Sequence, residues 1–346
     1  MMKVLVTGSL GYIGTVLVPM LQQRDHDVTG VDTDLYQKCT FAGQVPEVKT
    51  MHADVRDLHP DDLVAYEAII HLAGLSNDPL GDYQPELTEK INEAASVRLA
   101  EMAKTAGVRR FLFASSCSNY GAAGDQFLTE TADFNPVTPY GVSKVKVEAA
   151  LTQMADENFS PTYIRASTAY GLSPRLRFDL VANNLTAWAF TTGLVYLKSD
   201  GTPWRPIVHV EDIARAYIAA LEAPRDLIHD EAFNVGTTTE NYQIREIAEM
   251  VKEIVPGCKI EYAPDAGPDQ RCYRVDCNKI ARVLKDFKPQ WTARRGIEQL
   301  YEAYKNTGLT LEEFEGPKYK RIAHVKKLVD DGSLDHDLRW TDRKRV

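Results

Sequence analysis

The chain has 346 residues and carries 49 acidic against 40 basic side chains, a net charge of −9, so it offers no basic block for a nucleic acid as its main partner. Its 44% hydrophobic and 26% charged residues are ordinary globular values, and no stretch approaches the ~20 apolar residues a membrane helix needs. The N-terminus passes from Met1-Met2-Lys3 into Val4-Leu5-Val6 without a signal-peptide pattern, and Cys39, Cys117, Cys258, Cys272 and Cys277 show no metal spacing. These features predict a cytoplasmic protein with reduced thiols and no metal site.

In chain order, Lys3–Thr7 reads as a buried strand, Tyr12–Gln23 as a helix and Val28–Asp32 as a second strand. Val48–Ala53 and Ala68–Leu72 follow as strands. Pro85–Ala106 has helical spacing, Arg110–Ser115 is a strand, Pro139–Met154 a helix and Thr162–Ala166 a strand. Strands alternating with helices predict an α/β fold, a Rossmann-type doubly wound parallel sheet. After about residue 170 the rhythm loosens. Helix Asp179–Phe190, strand Leu194–Leu197, strand Pro206–Val210 and helix Glu211–Leu221 come next. Strand Ala232–Val235, helix Ile244–Ile254, strand Lys259–Tyr262 and helices Asn278–Leu284 and Gly296–Tyr304 follow. The expected organisation is a dinucleotide-binding domain over 1–170, rejoined by 206–236. A smaller C-terminal α/β substrate-binding portion takes 171–205 and 237–310, and a charged extension takes 311–346.

The segment Thr7-Gly8-Ser9-Leu10-Gly11-Tyr12-Ile13-Gly14 lies between the first strand and the first helix. Gly8 permits a tight turn, Gly11 a close approach of backbone to a pyrophosphate, and Gly14 close helix–strand packing. The helix N-terminus offers its free N–H groups to the phosphates. Asp32 ends the second strand 18 residues after Gly14, where a carboxylate holds ribose hydroxyls and repels a 2′-phosphate. No Arg follows it closely, so NAD is predicted over NADP. Asp54-Val55 and Leu72-Ala73-Gly74, at the ends of later strands, are further cofactor-binding candidates.

Tyr140 and Lys144 stand at i, i+4 at the start of a helix, which puts both on one face. A Lys ammonium beside a phenol favours phenolate and makes Tyr a usable acid or base. Upstream, Ser115-Ser116-Cys117-Ser118 lies at the carboxyl end of a strand, where open α/β sheets bind ligands. Cys117 reads equally as a packing residue or as a reactive thiol.

Together TGSLGYIG, VD, DV, HLAG, SSCSNYG, YGVSK and the later RPIVHVEDIA resemble the nucleotide-sugar epimerase/dehydratase branch of the extended short-chain dehydrogenases, over about residues 1–305. The resemblance implies a bound NAD and a nucleotide-diphosphate sugar as substrate. It gives Ser116 a hydrogen bond to the reacting sugar oxygen, Tyr140 the proton transfer, and Lys144 the nicotinamide ribose. Ser115 and Asn92 are carried over with the cofactor site. Asn183, Asn184, Arg205 and Arg271 are carried over as substrate contacts, with Ala266 standing where the family has a leading Arg. Pro174-Arg175-Leu176-Arg177 faces the sugar in such enzymes, where two cations would meet an anionic sugar or the diphosphate. The resemblance further implies a homodimer through a four-helix bundle of 85–106 and 139–154.

Cys117-Ser118 replaces the Asp-Glu pair with which sugar 4,6-dehydratases of the branch eliminate water. The leading expectation is therefore an NAD-dependent epimerase acting at a sugar carbon, C4 above all. The alternatives are a 4-ketosugar reductase and a dehydratase using Cys117.

Overall fold

The computed structural model describes residues 1–76, 84–267 and 272–341. Its frame is a seven-stranded sheet. The strands are β1 (Lys3–Thr7), β2 (Asp27–Val31), β3 (Lys49–Met51), β4 (Ala68–His71), β5 (Arg110–Ser116), β7 (Ser160–Ala166) and β11 (Glu231–Val235), in the order β11-β7-β5-β4-β1-β2-β3. Every pairing is parallel. The central strands are apolar on both faces because helices cover both. Val4, Val6 and Ile70 enter one core, and Leu5 and Ile69, pointing the other way, enter the second. Helices α1 (Gly14–Gln22) and α6 (Val210–Glu222) cover the first face. Past α2 (Pro85–Thr88) and a π-helical run Glu89–Ala94, the second is covered by α3 (Ala95–Thr105) and α4 (Pro139–Met154). Strand order reverses between β1 and β4, and at such a switch point the loops leaving the carboxyl ends part to form a crevice.

The helix expected over 85–106 is thus interrupted. At the π-helical turn the buried Asn92 side chain accepts from Leu75 N at 2.7 Å and donates to Leu75 O at 2.9 Å, fixing the loop after β4. The remaining strands are β6 (Ala122–Leu128), β8 (Thr168–Tyr170), β9 (Leu194–Ser199), β10 (Trp204–His209), β12 (Asn241–Gln243), β13 (Lys259–Gly267) and β14 (Cys272–Val275). They form three small sheets, β12-β10-β8, β13-β9 and β14-β6. Strand β10 therefore pairs with β8 and β12 and lies outside the large sheet. Helices α5 (Val181–Thr192), α7 (Ile244–Ile254) and α9 (Ala293–Thr307) pack with β9 and β10 around a separate apolar cluster. α8 (Asn278–Val283) joins the first core through Ile280.

The charged C-terminal segment folds onto the body. α10 (Leu311–Glu315) buries Phe314 against Phe178 and Trp188. α11 (Arg321–Asp330) buries Val325 and Leu328 in a cluster with Leu35, Tyr36, Leu75 and Leu87. Among the described residues no helix is long and apolar enough to cross a membrane, and no disulfide is formed.

Candidate active site

The loops at the switch point enclose a cleft of about 1150 Å³. That exceeds the ~300–1,000 Å³ of a pocket for one drug-sized ligand and suits a dinucleotide with a second ligand beside it. At one end lies the glycine turn. Gly8 has φ +72°, and a Cβ there would stand 2.8 Å from Ala73 N; a Cβ on Gly14 would stand 2.3 Å from Gly8 O. The turn thus closes only with glycine at both positions. Gly11, Tyr12 and Ile13 line the cleft beside them. The Tyr12 ring turns away and its hydroxyl donates to Gly171 O at 2.8 Å, so the residue contributes backbone to the cleft and anchors the 171–180 loop. Asp32 lines the same end; its carboxylate accepts from Leu10 N at 2.9 Å and Asp34 N at 2.7 Å. Burial pushes its pKa up, and these two N–H groups oppose that.

Val55, Leu72, Ala73 and Gly74 also line the cleft. Asp54 lines it too, held by a 2.6 Å ion pair to Arg56. Asn92 does not; it acts on the site through Leu75, and a Cβ on Gly74 would meet its Oδ1 at 3.0 Å. The residues present fit the dinucleotide: a cradle that side chains would fill, and an acidic ribose acceptor at its far end.

Ser116 closes β5 and caps the turn that follows, accepting from Ser118 N at 3.1 Å and Ser118 Oγ at 2.8 Å. Tyr140 stands in the first turn of α4. Thr138 caps that helix from Gly141 N, and Pro139 presets its first residue. Lys144 lies one turn on, with Nζ 4.6 Å from the centre of the Phe113 ring and 5.4 Å from that of Tyr140. Ser116, Tyr140 and Lys144 all face the cleft. Burial pulls the Lys144 ammonium down to about 8, against a smaller opposing pull from the Glu148 carboxylate.

A buried polar frame stands behind this wall. Glu148 of α4 pairs with Arg165 of β7 at 2.6 Å and accepts from Ser115 Oγ and Asn119. Arg165 donates on to the Tyr120 hydroxyl, which donates to Asn234. Ser115 therefore lines the cleft while its hydroxyl is committed to the frame.

Three expectations change. Cys117 points into the body, with Sγ 3.1 Å from Arg165 O, and does not line the cleft. Burial pushes its thiol up to about 12, so no thiolate forms near neutrality. Asn183 is fully buried, accepting from Gly171 N and donating to Arg177 O. It shapes the 171–180 loop and does not reach the substrate side. Arg175 turns from the sugar towards the cofactor end, pairing with Asp34 at 2.8 Å and donating to Leu10 O and Tyr36 O.

Asn184 and Arg205 line the far part of the cleft, with Tyr196, Lys198 and Tyr273. Asn184 donates to Phe178 O at 2.8 Å, and the Arg205 guanidinium lies 6.0 Å from the Tyr273 ring centre. Arg271 lies outside the described residues. Arg177, expected with Arg175 on the sugar side, does line the cleft, but sequence reasoning missed its 2.6 Å pairing with Asp179 and its contact with Ser76. It missed Tyr36, Arg321 and Leu338 on the cofactor side as well. None of these carries a motif; folding of the loop and tail brings them in.

Known proteins share this arrangement. The chain is 27% identical over 315 residues to a UDP-glucose 4-epimerase of Corynebacterium glutamicum, covering 86% of this chain and 93% of that one. It is 26% identical over 330 residues to UDP-glucuronic acid decarboxylase 1 of Arabidopsis thaliana, covering 91% of this chain and 72% of the other. The solved structure of MoeE5 in complex with UDP-glucuronic acid and NAD superposes with a TM-score of 0.76 at 28% identity, covering 88% of this chain and 99% of that one. The model of the NAD dependent epimerase/dehydratase family matches residues 4–236, the part that builds the sheet, the glycine turn and the Ser116–Tyr140–Lys144 wall. With those elements in place the chain belongs to that family, and it is an NAD-dependent enzyme.

Proposed function

We propose that the protein is a redox-neutral nucleotide-sugar epimerase, acting at C4 of a sugar carried on a nucleoside diphosphate. The observation that carries this reading is one wall of the cleft. It presents Ser116, Tyr140 and Lys144 and, among the described residues of that wall, no group suited to removing water, because Cys117 faces the interior and the Ser118 hydroxyl is bound to Ser116.

Ser116 Oγ orients the sugar oxygen. Tyr140 Oη takes the proton of the sugar hydroxyl as the carbon becomes a carbonyl, and returns it when the hydroxyl re-forms with inverted configuration. Lys144 holds positive charge beside Tyr140 through the cycle. NAD, when bound, would supply the hydride acceptor and donor. Gly11–Ile13 would hold its diphosphate and Asp32 its adenosine ribose. On the sugar-nucleotide side, Asn184 and Arg205 contact the diphosphate, Arg giving planar, bidentate recognition. Two copies pair through the outer faces of the π-helical run with α3 and of α4, where Ala94, Val142 and Ala149 are exposed.

The relatives named above act on UDP-linked sugars, which makes these the first panel to test. Purified protein given UDP-glucose, UDP-galactose or UDP-glucuronic acid, with no added cofactor, is expected to yield an isomer of unchanged mass. A product lighter by one water or by carbon dioxide would replace the epimerase reading, and conversion only of 4-keto sugars with NADH would make the enzyme a reductase.

A further inference from the structure

The segment after Leu309 has no part in the matched family region, yet it reaches the cofactor end of the cleft. Arg321, first residue of α11, is only 9% exposed. A guanidinium has five N–H donors. Among the described residues Arg321 forms one hydrogen bond, to Arg175 O at 3.2 Å, and the group lies 4.1 Å above the centre of the Tyr36 ring. The nearby carboxylates are taken. Asp179 binds Arg177 at 2.6 Å and Asp34 binds Arg175 at 2.8 Å, so among the described residues of this group, three arginines and two aspartates, Arg321 is the surplus cation. A buried surplus cation on a cleft wall is costly unless an anion arrives.

Its position says which anion. Tyr36 follows Asp32 by four residues, and Arg175, whose carbonyl Arg321 holds, donates to Leu10 O of the glycine turn. Arg321 therefore stands across from the turn that receives phosphate. The rest of the tail is fastened to the same loop: His324 Nε2 is 2.9 Å from Leu35 O, and Trp340 Nε1 donates to Thr33 O at 2.7 Å. Asp337 pairs with Lys90, Arg339 with Asp57, and Leu338 lines the cleft with Asp54 and Arg56.

We propose that the C-terminal segment is a fourth wall of the NAD site, with Arg321 a direct ligand of the cofactor's diphosphate and Leu338 covering its adenosine. The tail then retains the dinucleotide between turnovers, as a redox-neutral cycle requires.

The test uses full-length protein stripped of NAD, with binding followed by calorimetry for ADP-ribose, which carries the diphosphate, and for adenosine, which does not. Arg321→Met keeps the apolar stem over Tyr36 and removes the charge. It is expected to weaken ADP-ribose about ten- to a hundred-fold, the range for a lost charged hydrogen bond, with adenosine unchanged, and to lose NAD on gel filtration where the parent protein keeps it. Arg321→Lys, which retains charge, should lie between. Unchanged ADP-ribose affinity in folded Arg321→Met would overturn the assignment. So would equal weakening of both ligands. If the Met variant does not fold, the Lys variant decides: ADP-ribose and adenosine affinities both equal to the parent's would overturn it. No sugar turnover enters the measurement, so its outcome is separate from that of the epimerase test.

Discussion

Two neighbouring residues, Ser116 and Cys117, show how one step along a strand end decides a role. Ser116 ends β5 and faces the cleft, whereas Cys117 begins the 3-10 turn that follows and is buried in the body. Cys117→Ala should accordingly leave turnover close to that of the parent, whereas Tyr140→Phe, which removes the proton carrier, should lower kcat by about 10²–10⁴-fold. Steady-state rates on the converting sugar check both, and loss of activity in folded Cys117→Ala would reinstate the thiol. Lys144 adds a pH dependence. Its pKa is lowered to about 8, so the ammonium is present below that pH and lost above it. The kcat/KM profile should fall on the alkaline side near pH 8. In Lys144→Arg, whose charge persists, that limb should move upward by more than a unit or vanish.

The elements bring these side chains together by a buried pair at their back. Glu148 sits one turn beyond Lys144 on α4 and pairs with Arg165 of β7, each side chain being 6% exposed. Removing the carboxylate leaves the guanidinium buried and unpaired, the expensive way to break such a pair. Glu148→Ala should cost about 3–5 kcal/mol in urea unfolding. Ser115 and Asn119 would lose the acceptor that fixes the end of β5. Glu148→Gln, which keeps an acceptor, should cost less. The π-helical turn at Asn92 is the same device at another place: a distortion of one element that lets a buried amide hold the backbone of the cleft.

For the whole molecule, the epimerase reading joins a cleft large enough for two nucleotides to a tail that closes one end of it. It also includes a pair of outward helices with small exposed side chains. Sedimentation should show a dimer, and Val142→Glu, placing a charge on an exposed apolar position of α4, should shift it to monomer at micromolar concentration. A parent protein that sediments as a monomer would remove the pairing from the proposal.

Much of this protein is legible in its residues. The alternating buried strands, the Gly8–Gly14 turn before α1, Asp32 at the end of β2 and the Tyr140–Lys144 spacing are local patterns, each written within one or two elements. They suffice for a doubly wound sheet, a dinucleotide turn and a Tyr–Lys wall. The interrupted helix at 85–105, the short strands β8, β12 and β14, the strand β6, and the separate sheet of β10 are not local. Their few residues pair with segments far along the chain and follow no period of their own. The same holds for direction within a motif: Cys117, Asn183 and Arg175 are where the sequence puts them, but packing turns each away from the substrate. Arg321 and Leu338 belong to a charged tail with no pattern of its own. They join the cofactor end only because α11 buries its apolar face on residues 35–36, a contact across nearly the whole chain that only the tertiary fold creates.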